Sequence, residues 1–402
     1  MDWQTISETV PASVVPEARA AHQLAGRAPV TGAWREGDPL GDRRFARIGD
    51  LALESGEVLP GVRIAYETWG ELSTARDNAI LVLHALTGDS HVVGPAGPGH
   101  PSAGWWPGVV GPGLAIDTDR YFVVAPNVLG GCQGSTGPSS LAPDGVEWAT
   151  RFPFLTIRDQ VRAQLAFARE LGIDRFAGVV GGSMGAMHVL EWAIMAPEAV
   201  ERIAVLAAPA ASSADQIALN SVQIEAIRTD PAFHGGAYYE APDGEGPTRG
   251  LALARRMAML NYRTAAELNH RFERSWQSDL DPLGGDGRFA VESYLDFHGN
   301  KFTRRFDANS YIVLTQAMNS HDVGRRRGGA AAALDRIEAA SLVLGIDSDR
   351  YFPLAGQIEI AALMRHSVHG PAPVLVSSEY GHDAFLIEDA AVGSALAQLL
   401  AA

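Results

Sequence analysis

A single cysteine, Cys132, and a single lysine, Lys301, stand among 402 residues. One thiol can form neither an internal disulfide nor a cysteine-based metal site, and it suits a reducing compartment. One lysine, set in Asn300-Lys301-Phe302, leaves no Walker A loop, no Schiff-base motif and no serine/lysine dyad. No apolar run approaches the roughly 20 residues that span a bilayer, so no membrane partner is expected. No G-x-G-x-x-G follows a strand-like run, which argues against a dinucleotide cofactor. No H-E-x-x-H appears, so no metal is expected, and His84, His91 and His100 read as scattered polar or packed histidines. Positive charge is also scarce: 32 basic against 47 acidic side chains give a net charge of −15. That field repels nucleic-acid phosphates and anionic lipid, and a polyanionic ligand would need a local cluster of arginines. Met1-Asp2-Trp3-Gln4-Thr5 lacks the basic flank and apolar stretch of a secretory leader, so a cytoplasmic location is expected.

What is present is a chain long enough for one large core with an insertion, or for two domains. Residues 1–45 carry Ala, Pro, Arg and Glu without periodicity and read as an arm. Short apolar runs then alternate with helix-length stretches. The runs are Ile80 to Leu83, Tyr121 to Val124, Phe176 to Val180, Ile203 to Leu206, Ser341 to Ile346 and Val374 to Ser377. Runs this short and this continuous read as buried parallel strands. Ile157 to Leu171 shows helical spacing closed by Gly172, and the nearly all-apolar Ala186 to Ala196 is ended by Pro197. Strands alternating with helices predict a doubly wound, mostly parallel α/β sheet over residues 46–209 and 341–402. Between them, over 210–340, helix formers dominate (Gln216 to Arg228, Leu251 to Leu260, Ala265 to Trp276), which predicts an inserted helical lid. Gly328 to Ala333 reads as a loop entering a helix.

Gly181-Gly182-Ser183-Met184-Gly185 matches G-x-S-x-G. Chance alone gives that pattern about once in four chains of this composition. The setting is what makes it informative, because a predicted strand enters it and a predicted helix leaves it, as a nucleophile elbow requires. A serine hydroxyl needs a base, and the base needs a carboxylate to hold its tautomer. In α/β-hydrolase order the acid and then the histidine follow the serine late in the chain. After the strand ending at Ile346 come Asp347 and Asp349, and after Val374 to Ser377 comes His382. Asp349 is favoured, because it lies four positions before Pro353 and so in the loop, whereas Asp347 sits at the strand end. Two backbone donors are expected for an oxyanion: the N–H of Met184, and one from His84-Ala85-Leu86-Thr87-Gly88, Leu86 being favoured.

These residues, with Tyr66-Glu67-Thr68-Trp69-Gly70, Asn127 to Pro138, Phe154 to Asp159 and Tyr380-Gly381-His382-Asp383, resemble the homoserine O-acetyltransferase family of acyl-CoA-dependent acyltransferases, over about residue 45 to the C-terminus. The resemblance implies the α/β-hydrolase fold and a ping-pong transfer from acetyl-CoA, through acetyl-Ser183, to L-homoserine, on the route to methionine. It also implies no permanently bound cofactor and a homodimer formed through lid helices. It places an arginine and a tyrosine in the lid, matched by Arg255 and Tyr262, although adjacent Arg256 leaves the register open. A free amino acid needs a cation for its carboxylate and an anion for its ammonium, and Arg255 with Asp383 meets both needs. Related sequences also transfer succinyl groups or use serine, and an esterase would carry the same triad. The chain departs from many members at Ala186, where glycine is expected. Gly324-Arg325-Arg326-Arg327-Gly328 resembles a family turn that faces either CoA phosphates or solvent.

Overall fold

The computed structural model of the protein describes residue 24 and residues 26–402. Residues 1–23 and 25 of the expected arm lie outside the described residues. Eight strands among the described residues form one sheet: β1 (Arg44–Ala52), β2 (Val58–Trp69), β3 (Ala79–Leu83), β4 (Phe122–Pro126), β5 (Gly178–Gly182), β6 (Arg202–Leu206), β7 (Ala340–Ile346) and β8 (Val374–Val376). Their order across the sheet is β1-β2-β4-β3-β5-β6-β7-β8. β2 runs antiparallel to both neighbours, and every pair from β4 to β8 is parallel. This is the α/β-hydrolase fold.

The unbroken apolar strands are explained by burial on both faces. In β3, Ile80 and Val82 pack with Leu396 and Leu399 of the C-terminal helix, while Leu81 and Leu83 point into the opposite layer with Val161 and Met187. Helix α1 (Ile157–Glu170) starts on a capping box in which Thr156 accepts from the Asp159 N–H and Asp159 accepts from the Thr156 N–H. Helix α2 (Met184–Met195) is buried along its length except at Met195, between α1 and the sheet, and stops before Pro197.

Between β6 and β7 the chain leaves the sheet for α3 (Ala214–Arg228), α4 (Thr248–Tyr262), α5 (Ala265–Phe272), α6 (Ala290–Phe302), α7 (Ala308–Asn319) and α8 (Ala330–Leu334). After β7 come α9 (Leu354–Leu363), α10 (Ala384–Ile387) and α11 (Asp389–Ala401).

Several boundaries differ from the sequence reading. β5 begins at Gly178; Phe176 makes only an isolated bridge to Val200. α2 begins at Met184, ahead of Ala186, because the helix starts immediately after the turn at Ser183. α5 ends at Phe272, short of Trp276, where Glu273 takes a positive φ of 45°. Strands β1 and β2 carry no long apolar run and add two strands to those expected from the sequence. Among the described residues no single helix is long and apolar enough to cross a membrane.

Candidate active site

Ser183 sits between β5 and α2 at φ 58°, ψ −124°. A non-glycine residue held there costs of order 1–3 kcal/mol, which the surrounding structure must supply. Gly185 makes the turn possible, since a Cβ at that position would fall 2.1 Å from the Leu83 carbonyl oxygen on β3. The Ser183 N–H donates to Leu206 O at 3.0 Å, tying the elbow to β6.

The elbow lies at the C-terminal edge of the parallel strands, where the loops after β7 and β8 also arrive. The loop after β7 carries Asp349 and the one after β8 carries His382. His382 Nε2 is 2.8 Å from Ser183 Oγ, and His382 Nδ1 is 2.6 Å from Asp349 Oδ2. All three residues are buried. The other oxygen of Asp349 accepts the N–H groups of Tyr351 at 2.9 Å and Phe352 at 2.8 Å. Because a carboxylate only accepts, His382 carries its proton on Nδ1 and presents a bare Nε2 to the serine hydroxyl. Asp347 is exposed and bonds Ser377 Oγ and the Ser378 N–H, away from the histidine. Gly381, at φ 64°, lets the histidine loop pass α4, as a Cβ there would fall 2.4 Å from Tyr262 O.

Ser183 and His382 open into a cavity of about 250 Å³ shared by Leu86, Arg255, Tyr262 and Asp383. Met184, the first residue of α2, follows Ser183 directly, where a helix leaves its leading amides without intrahelical acceptors. Arg255 Nη1 is 3.4 Å from Thr87 Oγ1. Arg256 turns away to pair with Asp296 at 2.8 Å, so Arg255 is the arginine of the two that faces the cavity. Tyr262 packs on the ring of His382 at 5.4 Å between centroids, and burial pushes its hydroxyl pKa up to about 12.

Three charged cavity residues were not anticipated from sequence: Asp89, Arg263 and Arg305. Arg263 Nε lies 3.2 Å from Asp383 Oδ2, so Asp383 already has a cationic partner from the protein. Arg305 Nη2 donates to Thr87 O at 2.8 Å, with Nη1 4.0 Å from Asp89. Buried Phe302 and Phe306 bracket both Arg304 and Arg305 in the turn after α6, so the sequence marks the pair as partly packed without showing which of them reaches the cavity.

His91 and His100 follow the packed alternative: both are buried and their rings stack, with centroids 3.8 Å apart. With Glu67 and Asp42 they offer ligand-capable atoms within 4.8 Å of one another. These atoms also bond within the protein: His91 Nδ1 lies 2.8 Å from Glu67 Oε2, and His100 Nε2 accepts the Asp42 N–H at 2.9 Å. The arginine turn spends two of its three guanidiniums on carboxylates of the protein. Arg327 bonds Glu191, and Arg325 bonds Glu54. Burial alone would raise the pKa of Glu54, yet hydrogen bonds from Arg325 and Thr156 hold it at about 2. Only Arg326 of the three is exposed.

A family profile described as the alpha/beta hydrolase fold matches residues 78–389. The homoserine O-acetyltransferase of Leifsonia xyli subsp. xyli (strain CTCB07) is 66% identical over 403 residues, covering 100% of both chains. Among solved structures, homoserine O-acetyltransferase from Bacillus anthracis aligns with a TM-score of 0.80 at 27% identity, over 89% of this chain and 97% of that one. An acetylester hydrolase from Corynebacterium glutamicum aligns with a TM-score of 0.75 at 28% identity, over 90% and 97%.

Proposed function

The chain belongs to the homoserine O-acetyltransferase family on the α/β-hydrolase fold, and from that premise we propose that it moves an acetyl group from acetyl-CoA to the hydroxyl of L-homoserine through acetyl-Ser183. The product is O-acetyl-L-homoserine, an intermediate on the route to methionine. The observation that carries the reading is the bonded chain Ser183–His382–Asp349 opening into a cavity that also holds Arg255 and Asp383.

In the first half-reaction Ser183 Oγ attacks the thioester carbonyl while His382 Nε2 takes its proton, leaving an oxyanion opposite the N–H groups of Leu86 and Met184. Collapse breaks the C–S bond, and the imidazolium returns the proton to the departing CoA sulfur. In the second half-reaction His382 takes the proton of the homoserine hydroxyl, whose oxygen attacks the acetyl-serine, and Ser183 is released with its proton restored. Asp349 steadies the imidazolium in both. Arg255 receives the substrate carboxylate and Asp383 its ammonium, the latter exchanging part of its pairing with Arg263. Tyr262 backs the histidine ring. Residues 46–209 and 341–402 act as the catalytic core and 210–340 as the lid. We assign the protein no permanently bound cofactor or metal, a cytoplasmic location and a homodimer through the lid, where Val222, Leu253 and Leu260 are left exposed on α3 and α4.

A free-thiol assay tests this directly. Acetyl-CoA with homoserine should release thiol far faster than acetyl-CoA with water. Faster release from succinyl-CoA, or with serine, would move the assignment to a sister activity, and equal rates with water would make the protein an esterase. Arg255→Ala should raise the apparent KM for homoserine by about 10-fold or more, because a charged hydrogen bond is worth roughly 1.5–3 kcal/mol. An effect confined to acetyl-CoA would place Arg255 on the donor side.

A further inference from the structure

The turn that carries Leu86 is gripped from two sides. Ala85 to Gly88 forms a β-turn closed by the Gly88 N–H on Ala85 O at 2.9 Å, with Leu86 and Thr87 as its central residues. At its entry, His84 Nδ1 donates to Ala85 O at 2.8 Å while His84 Nε2 accepts the Val128 N–H at 3.0 Å. Burial holds this ring in the neutral form that such double bonding requires. At its exit, Arg305 Nη2 donates to Thr87 O at 2.8 Å. Both grips root in one segment. Val128 holds His84, and Gln133 Nε2 donates to the Arg305 carbonyl at 2.8 Å, fixing the backbone from which the guanidinium reaches across. The Asn127 to Pro138 block, otherwise remote from the chemistry, thereby backs the turn.

We propose that Arg305 is a positioning residue that, with His84, locks the oxyanion turn Ala85–Gly88 so that the Leu86 N–H stays aimed at the space above Ser183. Oxyanion donors act through preorganisation, and a donor allowed to drift loses much of its effect on the transition state. The inference rests on the acyl-transfer reading and deepens it by separating two jobs for the cavity arginines. Arg255 meets the acceptor amino acid, whereas Arg305 spends its best bond on the protein backbone.

p-Nitrophenyl acetate has neither carboxylate nor amine, so it reports acylation of Ser183 without the acceptor pocket. The burst of p-nitrophenolate should slow by roughly 10–100-fold in Arg305→Gln, with partial recovery in Arg305→Lys. The KM for homoserine in the full reaction should move by less than about 3-fold. Added guanidinium should speed the burst of Arg305→Ala, a rescue that a merely structural role would not give. Should the glutamine variant fail to fold, the lysine variant and the guanidinium titration decide the matter. An unchanged burst in these variants, with or without a raised KM for homoserine, would overturn the proposal, the raised KM making Arg305 an acceptor anchor instead. A missing Ser183-dependent burst in the unsubstituted protein would sink the acyl-transfer reading itself.

Discussion

Ser183→Ala is expected to abolish the covalent acetyl-protein formed on mixing with acetyl-CoA and to cut thiol release by roughly four orders of magnitude or more, the scale at which loss of a triad nucleophile acts. The remaining groups cannot substitute. His382 Nε2, deprived of Oγ at 2.8 Å, faces a methyl group, and Cys132, the sole thiol of the chain, is buried with its pKa pushed up by burial. The substitution leaves φ 58° in place, because alanine is disfavoured there to the same degree as serine. The turn, with Gly185 pressed on Leu83, should therefore persist and the melting temperature should change little. Intact-protein mass spectrometry after a short pulse of acetyl-CoA gives the answer: a mass increase of one acetyl group in the alanine variant would remove Ser183 from the mechanism.

How much of this was legible beforehand follows from what each residue answers to. Strands β3, β5, β6 and β7 are covered on both faces, so their apolar runs announce them. β1 and β2 lie toward one edge of the sheet, and β1 alternates buried Ala46 and Leu51 with exposed Arg47 and Asp50. β2 contains Pro60 and Gly61, and β1 shifts register around Gly49. Such strands resemble loop until pairing is known. Ser183, Asp349 and His382 stand in the turn or loops that follow strands β5, β7 and β8, in an order the chain itself dictates, so local pattern sufficed. The cavity arginines answer to packing between helices of the insertion and the loop after β3. No local pattern separates Arg305, which reaches Thr87, from its neighbour Arg304, which bonds Gly26 O. The same limit hid the Arg263–Asp383 pair, formed between α4's end and a loop more than a hundred residues later.

Asp349→Asn should cost about four orders of magnitude in turnover, while Asp347→Asn stays within a few-fold of the unsubstituted protein. The reason is the second oxygen of Asp349. Oδ1 accepts two backbone N–H groups, from Tyr351 and Phe352, and an asparagine will keep its carbonyl oxygen there, because placing its NH₂ against two donors would strand buried polar groups. The amide nitrogen then takes the place of Oδ2 and offers a proton to His382 Nδ1. The ring responds by holding its own proton on Nε2, which faces Ser183 Oγ as a donor and cannot accept the hydroxyl proton. Geometry is preserved while the tautomer is wrong, a change known to cost about 10⁴ in such triads. Asp347 has no such leverage, since it is exposed and its carboxylate bonds Ser377 Oγ and the Ser378 N–H. Steady-state kcat for both variants settles the choice of acid. A larger loss in Asp347→Asn would reverse it, and comparable small losses would mean that His382 works without a carboxylate partner.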